Sequence, residues 1–344
     1  MLPEVLIVRE LWTKCMTRNL CDRVPVEIAA RLPNLLSGRW VMNDWGIRYL
    51  GLRQTHRREL AQAVAEFLPQ SSSLRDLSFQ MPVSHLYSDY QNFSFGTLHP
   101  ENLTLDTLSN AIRAATAHMS TLRRLQITGV IDKSLLWPGP TRALSEPYWQ
   151  NLEYLHVTFS SRRPSGGHYF VDAHNPPQEL VPRSHLDVPP GYKQSEEEEV
   201  AAVASFSIGA ELCPSVDLDG QTWQPVDEVV PDASLKPLIR AFGQACLQMP
   251  MLKSADVVTI IPVPRESNGN GGSSRWGVWY FSPGTMHPRL EWLDSAFSED
   301  THDRRLIWDV KDWRPDADLR RLLGKIGDDK YGGRLVEKFV KSGF

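Results

Sequence analysis

The sequence predicts an α/β fold built from repeated helix–strand units, with mostly parallel strands and C-terminal capping helices. Three observations carry this reading. First, Leu235, Leu238, Ile239, Phe242, Cys246 and Met249 form one apolar helical stripe. The β-branched run Val257-Val258-Thr259-Ile260-Ile261 follows it and suits a buried strand. Second, the same order recurs upstream, where helical stripes lead into the pattern Leu-x-x-Leu-x-apolar at Leu74–Leu77–Phe79 and Leu122–Leu125–Ile127. Third, the chain has 344 residues, 41% hydrophobic and 23% charged, as expected of a globular protein that is elongated or two-lobed.

Taken in order, Val5, Leu6, Val8, Leu11 and Trp12 suggest a short helix in an N-terminal segment, residues 1–21. Residues 22–160 hold the first units. Asp22 can cap a helix with Pro25 in its first turn and Ile28, Ala29, Leu32 and Leu35 on one face. Leu36 to Met42 is the matching strand, interrupted by Gly38. Leu60, Val64, Phe67 and Leu68 stripe the second helix, and Leu108, Ile112, Ala115 and Met119 the third. Leu152–Leu155–Val157 marks a strand without a long helix before it. Residues 161–200 form a proline-rich loop ending in the acidic run Glu196 to Glu199.

Residues 201–344 carry the remaining units. Ser234 can cap the Leu235 helix, with Pro237 in its first turn and Pro250 beyond its end. The Gly- and Asn-rich stretch 265–275 reads as a hairpin tip leading to Trp276–Phe281. Leu290 to Leu293 and Leu306 to Val310 suggest strands. Leu319, Leu322, Leu323 and Ile326 stripe one terminal helix, and Leu335, Phe339 and Val340 a second. In Leu-x-x-Leu-x-apolar, the last two apolar positions share one strand face and the first lies in the turn before the strand. Stacked, such units give an irregular leucine-rich-repeat-like solenoid, because the intervals between Leu74, Leu122 and Leu152 are 48 and 30 residues.

Composition excludes several functions. A net charge of −4 and a pI near 6.2 give no electrostatic footprint for nucleic acid. No apolar run approaches the roughly 20 residues that span a bilayer. The opening residues do not read as a signal peptide. Four scattered cysteines fit a reducing compartment, cytoplasmic or nuclear, with Cys246 a buried free thiol. Eleven tryptophans, several of them late in the chain, imply a large aromatic core or surface there.

Candidate chemistry is sparse. His168, Asp172 and His174, with His185 and Asp187, offer imidazole and carboxylate ligands for zinc or iron, but their spacing matches no defined metal motif and the proline-rich loop favours structural or surface roles. Asp300, His302 and Asp303 beside Arg304 and Arg305 could serve acid–base chemistry or simply a solvated loop. Ser160 to Gly167 could hold an anion through Arg162 and Arg163. Neither a nucleophile-elbow motif nor a phosphate-binding P-loop is present. Trp276 and Trp279 are three apart on a strand and should face opposite sides. Trp279, Tyr280 and Trp313 are candidate partner-binding residues, competing with a purely core role.

The segments Trp149–Phe159, Leu238–Ala245 and Met249–Ala255 resemble the filamentous-fungal F-box proteins whose body is a degenerate leucine-rich-repeat-like array. The likeness runs from about Asp22 to the C-terminus. Leu2-Pro3-Glu4-Val5-Leu6 is similar to the opening of an F-box, but the sequence then runs straight into the first unit, so the F-box is absent or truncated. The resemblance implies a ubiquitin-ligase substrate receptor: a non-catalytic protein-binding body, with a Skp1-type adaptor at the N-terminus and no cofactor. The competing expectations are a metal-dependent enzyme using the His168–Asp187 loop and a structural protein without activity.

Overall fold

The computed structural model describes residues 10–14, 23–42, 50–81, 93–94, 97–98, 105–138, 148–172, 178–179, 228–229, 232–262, 273–285 and 301–340. One sheet of nine strands organises them: β1 (Glu10–Lys14), β2 (Ser37–Val41), β3 (Asp76–Gln80), β4 (Arg124–Gly129), β5 (Tyr154–Phe159), β6 (Ser254–Pro262), β7 (Ser273–Phe281), β8 (Arg304–Asp309) and β9 (Leu335–Phe339). Their order in space is their order in the sequence. Strands β1 to β6 are parallel, β7 is antiparallel to both neighbours, and β8 pairs parallel with β9. The segments 22–160 and 201–344 therefore contribute to a single sheet.

Helices α1 (Val24–Ala30), α2 (Leu50–Phe67), α3 (Thr107–Ala117), α4 (Asp232–Leu247) and α5 (Ala317–Gly324) accompany the strands, with the single turn α6 (Asp328–Tyr331). Apolar residues of α1 to α5 join one core cluster with Trp40, Phe79, Ile127, Val157, Val257, Val278 and Trp308. Those strand residues stand side by side in the ladder and share one face. Five helices thus cover one side of the sheet, as right-handed crossovers between sequential parallel strands require.

A single lead-in turn repeats before five strands. The N–H groups of Leu35, Leu74, Leu122, Leu152 and Leu252 donate to the carbonyls of Leu32, Ser71, Met119, Trp149 and Met249 at 3.1–3.2 Å. The carbonyls of Leu36, Arg75, Arg123 and Glu153 then each accept two N–H groups from the next lead-in, at 2.7–3.1 Å. Each of the five leucines is buried. The unit is therefore leucine, then three residues on an inward position, then two further on a second. Leu77–Phe79, Leu125–Ile127 and Leu155–Val157 fill those positions in β3 to β5. In β2 and β6 the inner pairs are Gly38–Trp40 and Ala255–Val257. A Cβ on Gly38 would lie 3.2 Å from the Trp40 ring, so the indole occupies the space a leucine fills elsewhere.

Helix α4 matches its sequence closely: all six residues of the expected stripe are buried, the last, Met249, two residues past its end. Gly243 lets it approach α5, since a Cβ there would lie 3.1 Å from Leu322. Cys246 is a buried free thiol, and burial, with the nearby Asp256 charge, raises its pKa. The late tryptophans build a core: Trp276 touches Phe170 and Trp313, and Trp313 touches Trp308, at centroid distances of 5.6–6.3 Å.

Three expectations are corrected. The N-terminal segment contributes strand β1, not a helix, over its described residues, pairing Glu10–Lys14 with Ser37–Val41. Ser234 lies inside α4, which starts at Asp232, and its hydroxyl donates to the Tyr169 carbonyl at 3.4 Å. Leu335–Phe339 is a strand rather than a second capping helix. Gly332 and Gly333, both at positive φ, turn the chain after α6 and direct it along β8. The proposed cap Asp22, residues 265–272 of the hairpin stretch and the Leu290–Leu293 strand lie outside the described residues, while residues 273–275 begin β7, which pairs antiparallel with β6.

A buried ion pair fixes α2 against α3. Arg57 donates to Asp106 from Nε (2.9 Å) and Nη2 (2.5 Å), and to the Val130 carbonyl at 2.7 Å. Asp106 also caps α3 by accepting from the Ser109 N–H at 2.9 Å and from its hydroxyl. Burial pushes the Asp106 carboxyl up, but the Arg57 charge and the bonds from Arg57 and Ser109 outweigh it and hold the pKa below its usual value.

Candidate functional site

In each strand of the parallel half, the residues between the inward positions face away from the helices. Register aligns them into rows. The middle row is Arg39, Ser78, Gln126, His156 and Asp256, and the row before it runs Ser37, Asp76, Arg124, Tyr154 and Ser254. From β2 to β5 these side chains are partly or fully exposed. The backbone of each of these strands is hydrogen-bonded on both sides, so the face offers side chains rather than a free strand edge.

Polar contacts link the rows. Arg39 Nη2 donates to Gln80 Oε1 at 3.2 Å, and Gln80 Nε2 donates to Ser78 Oγ at 3.2 Å. Arg124 stands 3.6 Å from Asp76 and lies over the Tyr154 ring, 4.9 Å from its centroid. Lys253 is 5.9 Å from the same ring. At the N-terminal rim, Glu153 is held between Arg123 (3.1 Å) and Lys253 (2.6 Å). The Lys253 hydrogen bond, with the Lys253 and Arg123 charges, lowers the Glu153 pKa, and the same bond raises that of Lys253.

His156 occupies the middle of the face. Its Nδ1 lies 2.5 Å from Asp256 Oδ1. Nε2 lies 3.1 Å from the Thr158 hydroxyl. Carboxylate, imidazole and hydroxyl are thus connected in the order of a nucleophilic triad. Thr158 sits in the middle of the sheet, however, and its strand is paired on both sides with Thr128 and Val258. The surrounding N–H groups serve the ladder, not an oxyanion hole. What the contact does show is an imidazole held between a buried carboxylate and a hydroxyl.

The residues singled out from sequence fall elsewhere. Trp276 and Trp279 face opposite sides as expected, and both are buried, Trp276 in the main core and Trp279 in a small cluster with Val258, Phe281 and Ile307. Tyr280 is fully buried, and Trp313 packs against the main core. Trp279 and Tyr280 therefore sit within the protein, Trp313 is partly buried against the core, and the exposed face presents other residues. Arg304 is structural: it donates to the carbonyls of Gly324, Ile326 and Gly332, each at 3.0 Å, and reaches Asp328 at 2.6 Å. It closes the C-terminal end of α5 and anchors α6. Arg305 donates to the Thr285 carbonyl, and His302 is exposed.

Of the proposed metal ligands, His168 is buried and bridges to Arg162 in the backbone, and Asp172 lies in a two-residue strand beside Glu228. His174, His185 and Asp187 lie outside the described residues. Among the described residues no three His, Cys, Asp or Glu side chains gather to hold a metal. In the proposed anion loop, the Arg163 N–H donates to the Gly167 carbonyl, and the Arg163 guanidinium covers Gly167, leaving no room for a Cβ.

The outward positions of the repeated unit carry the site, and sequence reading passed over them because it followed the leucines. The usable signal was the set of intervening residues, two and four positions after each leading leucine. Compared with known family models, curated proteins and solved structures, the chain matches none. Among the described residues, no helix is long and apolar enough to cross a membrane.

Proposed function

We propose that this chain is a protein-binding module, an irregular leucine-rich-repeat-like solenoid that recognises its partner through the outward rows of β2 to β5. One observation supports this most directly: five sequential parallel strands carry the same lead-in turn, and the four from β2 to β5 present aligned, solvent-reaching polar and aromatic side chains opposite the helices. Stacked units of this kind give extended recognition surfaces. The resemblance to F-box proteins supports the further reading that the body selects substrates for a ubiquitin ligase, with residues 1–21 meeting a Skp1-type adaptor.

Position-resolved photocrosslinking tests the surface. A photoreactive residue at Gln126, on the outward face, should yield a discrete protein adduct, and one at Arg58, exposed on α2, should not. Adducts at neither position, or equally at both, would overturn the reading. The adaptor is tested separately by co-purification with a Skp1-type protein, using the full chain and a form lacking residues 1–21. Capture by the full chain alone supports the ligase reading. Capture by neither form removes it and leaves the recognition surface in place.

A further inference from the structure

We propose that the outward face of β2 to β5, with the rim residue Lys253, binds an acidic, extended segment of its partner, with glutamate and aspartate side chains received by the arginines of the face. This rests on the protein-binding reading above and names the chemistry of the partner.

Charge distribution is the first argument. The full chain carries a net charge of −4. The outward rows and their N-terminal rim depart from it, with Arg39, Arg75, Arg123, Arg124 and Lys253 as cations. The anions among them are Asp76, Glu153 and Asp256, and two of these are withdrawn from solvent. Asp256 is 2% exposed and lies against His156. The Glu153 side chain is 18% exposed and sits between two cations. The cations reach outward, with side-chain exposures of 65% for Arg124 and 42% for Lys253. A partner approaching this face meets positive charge on a negative protein, which favours carboxylates and repels basic segments.

Side-chain chemistry is the second. Arginine presents a planar fork that matches a carboxylate and stacks on aromatic rings. Arg124 already stacks on Tyr154, so its guanidinium is positioned before a ligand arrives. Tyrosine and arginine dominate the energetics of protein interfaces. Tyr154, flanked by Arg124 and Lys253, is the natural anchor. A nucleic-acid backbone fits less well, because the carboxylates of Asp76 and Glu153 interrupt a phosphate track and Tyr154 is the single Phe, Tyr or Trp on these rows.

Geometry is the third. Adjacent strands lie about 4.8 Å apart, so β2 to β5 span about 14 Å, and an extended peptide covers that distance in about four residues. Alternate side chains of such a peptide face the sheet, which makes alternating acidic residues the best match. Because β2 to β6 have no free edge, binding proceeds through side chains rather than by strand addition.

The test uses the full chain and fluorescence anisotropy with a fluorescein-labelled peptide of about eight residues, alternating Glu and Ser, to span the face. The alternating Lys–Ser peptide and single-stranded DNA of similar length are the comparisons. Saturable binding of the acidic peptide is expected, weakening as ionic strength rises from about 0.02 to about 0.3 M. The double variant Arg39→Glu/Arg124→Glu should weaken binding at least about tenfold, while Arg58→Glu on the helix side changes it less than about twofold. Thermal melting of both variants confirms folding. No saturable binding, an equal loss in Arg58→Glu, or tighter binding of the DNA would overturn the proposal. If the Gln126 crosslink forms normally while the acidic peptide fails, the recognition surface stands and its proposed chemistry does not.

Discussion

The two halves of the sheet use the same register to opposite ends. In the parallel half, β2 to β5, burial alternates: inward residues are buried and outward residues stay partly exposed. In the aromatic half both faces are closed. Trp276 to Phe281 are buried without interruption, and so are all six residues of β8. One row shows the change: Arg39, Ser78, Gln126 and His156 are followed by Asp256, Trp279 and Ile307. It passes from solvent to core between β5 and β6, at the contact of His156 with Asp256. The outward face of the parallel half therefore reaches solvent, while the corresponding face of the aromatic half is packed into the fold.

The largest expected effects come from the ionic lock and from the closed half. Asp106→Ala leaves Arg57 buried and uncompensated and uncaps α3, and should destabilise the protein by about 3–5 kcal/mol in urea unfolding. The same pair gives a pH signature. Because the folded pKa of Asp106 is depressed, its contribution is complete above the unfolded carboxyl value of about 3.9 and is lost as pH falls through the folded value. Acid unfolding should therefore lose a component in an Asp106→Asn variant. In the closed half, Trp279→Ala should cost about 3–5 kcal/mol and Ile307→Ala about 2–5 kcal/mol. Gly277→Ala comes next. Its Cβ would sit 2.7 Å from Val258 and 2.9 Å from the Val257 carbonyl, and a loss of about 1–3 kcal/mol is expected.

Legibility in the sequence follows the same division. The stripe of α4 and the Leu-x-x-Leu-x-apolar strands were readable because burial on one face imposes a period that the residues repeat. Gly38–Trp40 and Ala255–Val257 hid two further copies, since the volume that leucine supplies elsewhere is redistributed within the pair. Strand β9 was mistaken for a helix because Leu335 and Phe339, four apart, share a face in either structure. A five-residue edge strand such as β1 is too short for periodicity to decide. The site was hidden for a different reason: His156 and Asp256 are remote in sequence, and only the pairing of β5 with β6 makes them neighbours. Trp279 and Tyr280 looked suited to an interface by residue type, but the closed half buries them.

The smallest effect is the most telling about function. Gln126→Ala and Ser78→Ala lie in the same row as Trp279 and Ile307, yet each should change stability by no more than about 0.5 kcal/mol, because they are partly exposed and lie outside the packed core. Parallel urea titrations of the four single variants measure this directly. Near-neutral values at Gln126 and Ser78 beside large losses at Trp279 and Ile307 would mean that the outward rows of the parallel half are under little structural constraint and can be set by what they bind. Comparable losses at all four would mean that both halves of the face stabilise the fold alike, and the distinction that locates the recognition surface would disappear.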